Sequence, residues 1–131
     1  MGFKKFTRKG GKRGGSSSLG PRISLRKSGS VGLNHATIEK YFDGKDYVEL
    51  FNDAVNQKVG LHPRGDETED SYKVRKSEKE GHGGQIACKA FLREFDIVPD
   101  KTTRYEVSWD EDQELIVIDL TDPDHIYNSS K

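Results

Sequence analysis

The chain has 131 residues, of which 31% are apolar and 34% charged, and its 22 basic and 22 acidic side chains give a formal net charge of zero. That length suits one modest domain, and the composition excludes a bundle of long apolar helices. No apolar run approaches the ~18 residues of a membrane span. Met1-Gly2-Phe3-Lys4-Lys5-Phe6 has no apolar stretch after its charges, so neither an anchor nor a secretory signal is expected. The one cysteine, Cys88, gives no internal disulfide and no metal cluster, which fits a reducing, cytoplasmic setting.

The zero balance hides two opposed blocks. Residues 1–27 hold Lys4, Lys5, Arg8, Lys9, Lys12, Arg13, Arg22, Arg26 and Lys27 and no acid, a charge of +9; the rest holds 13 bases and all 22 acids, a charge of −9. Residues 1–21 are also rich in glycine and serine, so they read as a flexible, disordered basic tail that cannot bury enough surface to fold alone. A polyanion is its natural counterpart, because each Lys or Arg near a phosphate releases condensed counterions. A solubility tail, or a strap lying on the chain's own acidic body, fits the same composition.

From residue 22 onward, one pattern occurs twice. Ile23-Ser24-Leu25-Arg26-Lys27-Ser28 alternates apolar and polar, as a half-buried strand does. The short apolar strand Val31-Gly32-Leu33 follows, then a helix over about 35–42 with Asn34 as N-cap and Ile38 and Phe42 as its apolar stripe. The hairpin Tyr47–Phe51 and Val59–Leu61 turns at Asn52-Asp53 and closes the unit, which spans residues 22–62. An acidic, turn-rich linker covers 63–70.

The second unit, 71–120, runs in the same order. Tyr72–Ser77 repeats the Arg-Lys-Ser ending, Ile86-Ala87-Cys88 is the apolar strand, about 89–95 is the helix with Phe91 and Phe95 on its stripe, and Tyr105–Trp109 with Leu115–Ile118 is the hairpin. Phe51 and Trp109 take equivalent hairpin positions and read as core or rim packing. The main difference is an insertion: Ser28 to Val31 spans three positions, Ser77 to Ile86 nine. Residues 121–131 read as a C-terminal tail. One such unit is too small to cover its own sheet face, whereas two can cover each other in a pseudo-twofold, closed or nearly closed barrel. The expected fold class is therefore mainly β with two short helices.

The string Arg26-Lys27-Ser28-Gly29-Ser30-Val31-Gly32-Leu33-Asn34, followed by a helix and Gly44-Lys45-Asp46-Tyr47-Val48-Glu49-Leu50, resembles the AbrB-like swapped-hairpin family. Gly84-Gln85-Ile86-Ala87-Cys88-Lys89-Ala90-Phe91-Leu92-Arg93-Glu94-Phe95 is similar. Two copies in one chain resemble the MraZ relatives and, more broadly, double-psi barrels that serve as adaptor domains. The chain departs from the family where its helix-opening proline is Asn34 and Lys89, and where Pro99-Asp100-Lys101 precedes the second hairpin. The resemblance implies a DNA-binding transcription regulator that contacts nucleic acid through Arg22, Arg26 and Lys27 in the first copy and Arg75 and Lys76 in the second. Lys4, Lys5, Arg8, Lys9, Lys12 and Arg13 would add phosphate affinity. Arg suits bidentate contacts to phosphate or a guanine edge, while Lys acts as a point charge. Arg and Lys at alternate strand positions also fit plain solvent exposure.

Other constellations carry less. His35, His62, His82 and His125 lie in separate segments, none at metal-ligand spacing, and Asp122-Pro123-Asp124-His125 reads as a chain end before a cation clasp. Gly81-His82-Gly83-Gly84 lacks the Lys-Ser/Thr of a phosphate loop and reads as a flexible loop. Cys88, in an apolar strand, reads as an inert core thiol. No nucleophile signature occurs, so a non-enzymatic protein without cofactor or metal is expected, a monomer or homodimer with DNA or RNA as its partner. The alternative is a protein-binding adaptor or inhibitor working through the acidic barrel surface.

Overall fold

The computed structural model describes residues 20–79 and 82–127, so Lys4, Lys5, Arg8, Lys9, Lys12 and Arg13 lie outside the described residues. The first hairpin joins β1 (Arg22–Leu25) to β2 (Ser30–Leu33). Side-chain alternation turns Ile23, Leu25, Val31 and Leu33 into the core and Arg22, Ser24 and Ser30 outward. β1 ends earlier than the alternating run to Ser28 predicts, because Arg26 to Gly29 form a turn. The Gly29 N–H donates to the Arg26 carbonyl at 2.9 Å, and Gly29 has φ of 96°, which a side chain would resist. Lys27 is therefore a turn residue.

Helix α1 (His35–Tyr41) starts as expected at Asn34, whose Oδ1 accepts from the Thr37 N–H at 3.0 Å. The same oxygen accepts from the Arg22 N–H at 3.0 Å, and Asn34 Nδ2 donates to the Gly20 carbonyl at 3.0 Å, which ties the start of β1 to the helix. Thr37, fully buried, completes this knot: its Oγ1 accepts from the Arg22 N–H at 2.9 Å. Ile38 and Phe42 face the core as the spacing predicts. In helix α2 (Lys89–Glu94) the stripe is rotated: Phe91 and Leu92 are buried, while Phe95 is 43% exposed and packs edge-on against Phe91.

The other strands are β3 (Tyr47–Asp53), β4 (Lys58–Arg64), β5 (Tyr72–Lys76), β6 (Gly84–Ala87), β7 (Thr103–Glu106), β8 (Ser108–Asp110), β9 (Leu115–Asp119) and β10 (His125–Ile126). Together the ten strands form one antiparallel sheet in the order β10-β7-β1-β2-β6-β5-β3-β4-β9-β8. The sheet is not closed. The strand read from Tyr105 to Trp109 breaks at Val107 into β7, which pairs with β1 and β10, and β8, which pairs with β9. Among the described residues β10 and β8 are consequently the edges of the sheet, where a closed barrel would have had none.

A single cluster of buried side chains fills the interior, including Ile23, Leu25, Phe42, Val48, Leu61, Ile86, Leu92, Ile116 and Ile118, each at most 1% exposed. Each such residue contributes about 1.5–3 kcal/mol through burial. Segment 121–127, read as a tail, instead supplies β10. Asp124 accepts from Arg104 Nε at 2.7 Å and Arg22 Nε at 3.1 Å, stapling the segment across β7 onto β1. No helix among the described residues is long and apolar enough to cross a membrane.

Candidate nucleic-acid interface

Strand alternation and pairing together decide which charges share a face. On β1, β2, β6, β5 and β7 the inward positions are apolar or uncharged, apart from Lys76 at the end of β5. The outward positions carry Arg22, Lys73, Arg75 and Arg104 against one acid, Glu106. Arg26 joins them just beyond β1. Laterally, Arg104, Ser24, Gly32, Gln85 and Arg75 form one row across five strands.

At the Gln85–Arg75 end of this row lies a shallow depression of about 410 Å3 lined by Arg26, Arg75, Lys76, His82, Gly83, Gly84 and Gln85, among others. Arg26 reaches it by lying across Gly32 and donating from Nη1 to Gln85 Oε1 at 2.8 Å. Only glycine permits that path, since a Cβ at position 32 would stand 2.5 Å from Arg26 Nη2. Arg75 is paired in register with Gln85, is exposed and lines the same depression as Arg26. Gly83 and Gly84 are structural as well: a side chain on Gly83 would collide with the Leu33 carbonyl, and one on Gly84 would meet the Arg75 carbonyl at 2.8 Å.

The sequence-predicted set divides into free and occupied cations. Among the described residues neither Arg26 nor Arg75 has a carboxylate within ion-pairing distance, whereas Arg22, Arg64, Lys76 and Arg104 all do. Arg22 bonds Asp124 and lies 3.8 Å from Glu106. Lys76 points inward from β5, and its Nζ donates to the Phe42 carbonyl at 2.7 Å and pairs with Asp46 at 3.1 Å, so it caps the C-terminal end of α1. Lys27 is exposed in the turn after Arg26. Lys73 and Arg104 were not singled out in the sequence, although alternation around Val74 and Tyr105 marks both as outward.

The opposite half of the sheet has the opposite sign. Outward on β3, β4, β8 and β9 stand Glu49, Asp53, Asp110 and Asp119, with Lys58 and Arg64 as the bases. Asp53 and Asp110 hold their carboxylates below the usual range, because Asn56 and Gln113 respectively donate side-chain hydrogen bonds to them. Thr121 does the same for Asp119. Burial pushes the Cys88 thiol up to about 12, in keeping with an inert core position. Phe51 and Trp109 are 47% and 40% exposed, and Trp109 stacks on Tyr41 with centroids 5.4 Å apart, so both are rim residues. No protein family, curated protein or solved structure matches this chain.

Proposed function

We propose that this is a non-enzymatic nucleic-acid-binding protein, a DNA-associated protein or transcription regulator, in which Arg26 and Arg75 form the centre of a phosphate-binding face. A single observation carries this: two arginines with no carboxylate partner among the described residues line one depression beside Gln85, on a face where bases outnumber acids. Acidic surface elsewhere repels phosphate and restricts contact to that side. Lys27 and Lys73 widen the face. Arg22 and Arg104 supply background positive charge that Asp124 partly offsets. Lys76 acts on α1 rather than on a ligand.

We further propose that the chain is two copies of one unit, built as a swapped-hairpin, barrel-like shell of the AbrB/MraZ or double-psi kind. Strand register supports this. The pair Leu25 and Val31 is matched by Val74 and Ile86, Ile23 and Tyr105 by Tyr72 and Val48, and Asn52 and Val59 by Trp109 and Ile116. β1 of the first unit lies on β7 of the second, and β5 of the second on β3 of the first. This register aligns Phe51 with Ser108 and Asn52 with Trp109, one residue away from the match that sequence alone gives. It also makes Arg26 and Arg75 equivalent positions, and both line the depression beside β6.

Gel shifts with duplex DNA, single-stranded DNA and structured RNA at two salt concentrations test the function. Binding that weakens steeply with salt and falls on Arg26→Ala and Arg75→Ala is expected. A second function, an adaptor engaging a basic protein, is favoured by the acidic half of the sheet.

A further inference from the structure

Between the two long turns of the acidic half runs a groove of about 680 Å3. Its floor is the lateral row Phe51, Gly60, Val117 and Ser108, held in register across β3, β4, β9 and β8. Asp53 stands at one end and Asp110 with Glu111 at the other, and among the described residues Lys58 is the only base in the lining. We propose that this groove binds a segment of another protein in which an aromatic or aliphatic side chain is flanked by lysine or arginine.

The floor supplies an apolar seat, with Phe51 47% exposed beside it. The carboxylates are fixed, not floppy: Asp53 Oδ2 accepts from Asn56 Nδ2 at 2.8 Å and Asp110 Oδ2 from Gln113 Nε2 at 3.0 Å. Fixed charges at both ends orient a peptide and set its register, while the floor supplies the desolvated contact. Nucleic acid is a poor occupant, because phosphates would face three carboxylates. A second copy of the chain is equally poor, since a twofold contact would bring the same acidic rims together. The inference rests on the adaptor reading and is independent of Arg26 and Arg75.

Trp109 borders the groove at β8, but its ring stacks on Tyr41 on the other face of the strand, so occupancy is read by calorimetry. The experiment titrates the full chain with the peptides Lys-Arg-Phe-Arg-Lys and Glu-Asp-Phe-Asp-Glu. Saturable binding of the basic peptide alone is expected, weakened about fivefold by Glu111→Lys and by about tenfold or more by Phe51→Ala. No saturable binding, or an equal response in both variants, overturns the proposal. So does a response that appears only when the basic residues Lys4 to Arg13 are neutralised, since the occupant would then be the chain's own start. A basic protein bound in a salt- and nuclease-resistant complex that forms equally well with Phe51→Ala and Glu111→Lys would keep the adaptor reading and overturn the groove.

Discussion

Gln57 and Glu114 share one unusual backbone conformation, with φ of 55° and 57°, and each stands four residues after an aspartate that organises its turn. Asp53 Oδ1 accepts from the Asn56 N–H, and Asp110 Oδ1 from the Gln113 N–H, both at 3.2 Å. The left-handed residue then sends the chain back into β4 or β9. The carbonyls that follow are also served alike: the Leu120 N–H donates to the Gln57 carbonyl at 2.9 Å, while His62 Nδ1 lies 2.9 Å from the Glu114 carbonyl. The register matches Leu120 to Pro63, which has no N–H, so the His62 ring takes over the bond as a donor from Nδ1.

Left-handed residues other than glycine are strained, so Gln57→Gly and Glu114→Gly should each stabilise the fold, by about 0.5–1 kcal/mol once glycine's extra chain entropy is offset. The midpoint of urea unfolding reads this directly. Equal gains at the two positions are expected, and a loss at either would mean that its side chain makes a contact the turn depends on.

Asp124 predicts an acid-side dependence. Hydrogen bonds from Arg104 and then Arg22 hold its carboxyl below the ordinary value of 3.8. A depressed carboxylate contributes stability above its unfolded pKa and loses it as pH falls through the lower folded value. The difference in urea midpoint between the natural chain and Asp124→Asn should therefore be constant above ~pH 5 and vanish on acidification below 3.8. A difference that grows on acidification would contradict the clamp.

Cys88 predicts the opposite side. Burial raises its thiol from 9.0 to about 12, so the fold favours the protonated form. That contribution is complete below pH 9.0 and is lost as pH rises toward 12, with a slope approaching about 1.4 kcal/mol per pH unit. Tyr72 and Tyr105, also raised by burial, add to the loss above pH 10.0. In the folded chain at neutral pH, Cys88 should react with a maleimide only as fast as the core opens, and urea should accelerate labelling in step with unfolding. Rapid labelling of the native chain would place the thiol at the surface.

The order of strands, helices and turns was legible because hydrophobic period and turn chemistry are local. Asn34 as N-cap, Ile38 with Phe42, and the Arg-Lys-Ser ends of the two alternating strands were all readable from spacing. Which strands lie side by side was not, since nothing local in Gly32 or Gln85 says that β2 pairs with β6. That Arg26 and Arg75 line one depression depends on that pairing. Charge counted along the chain likewise concealed the segregation, because the outward positions on β5, Lys73 and Arg75, are both basic although the sequence before them is acidic. The contacts of Lys76 were hidden for a related reason: its strand parity with Val74 turns it inward, to the end of α1. β10 was missed because two residues paired through Asp124 leave no periodic signal.

The most direct test is the salt dependence of binding to mixed-sequence duplex DNA by the natural chain and by Arg26→Ala, Arg75→Ala and the double variant, with single-stranded DNA and structured RNA alongside. Each lost phosphate contact should lower the slope of log affinity against log salt by about 0.9 on duplex DNA, and the double variant should lose both. Arg22→Ala should weaken the fold before it changes that slope. If the folded double variant binds every nucleic acid as tightly as the natural chain at low salt, with an unchanged slope, the Arg26–Arg75 face is not a nucleic-acid interface.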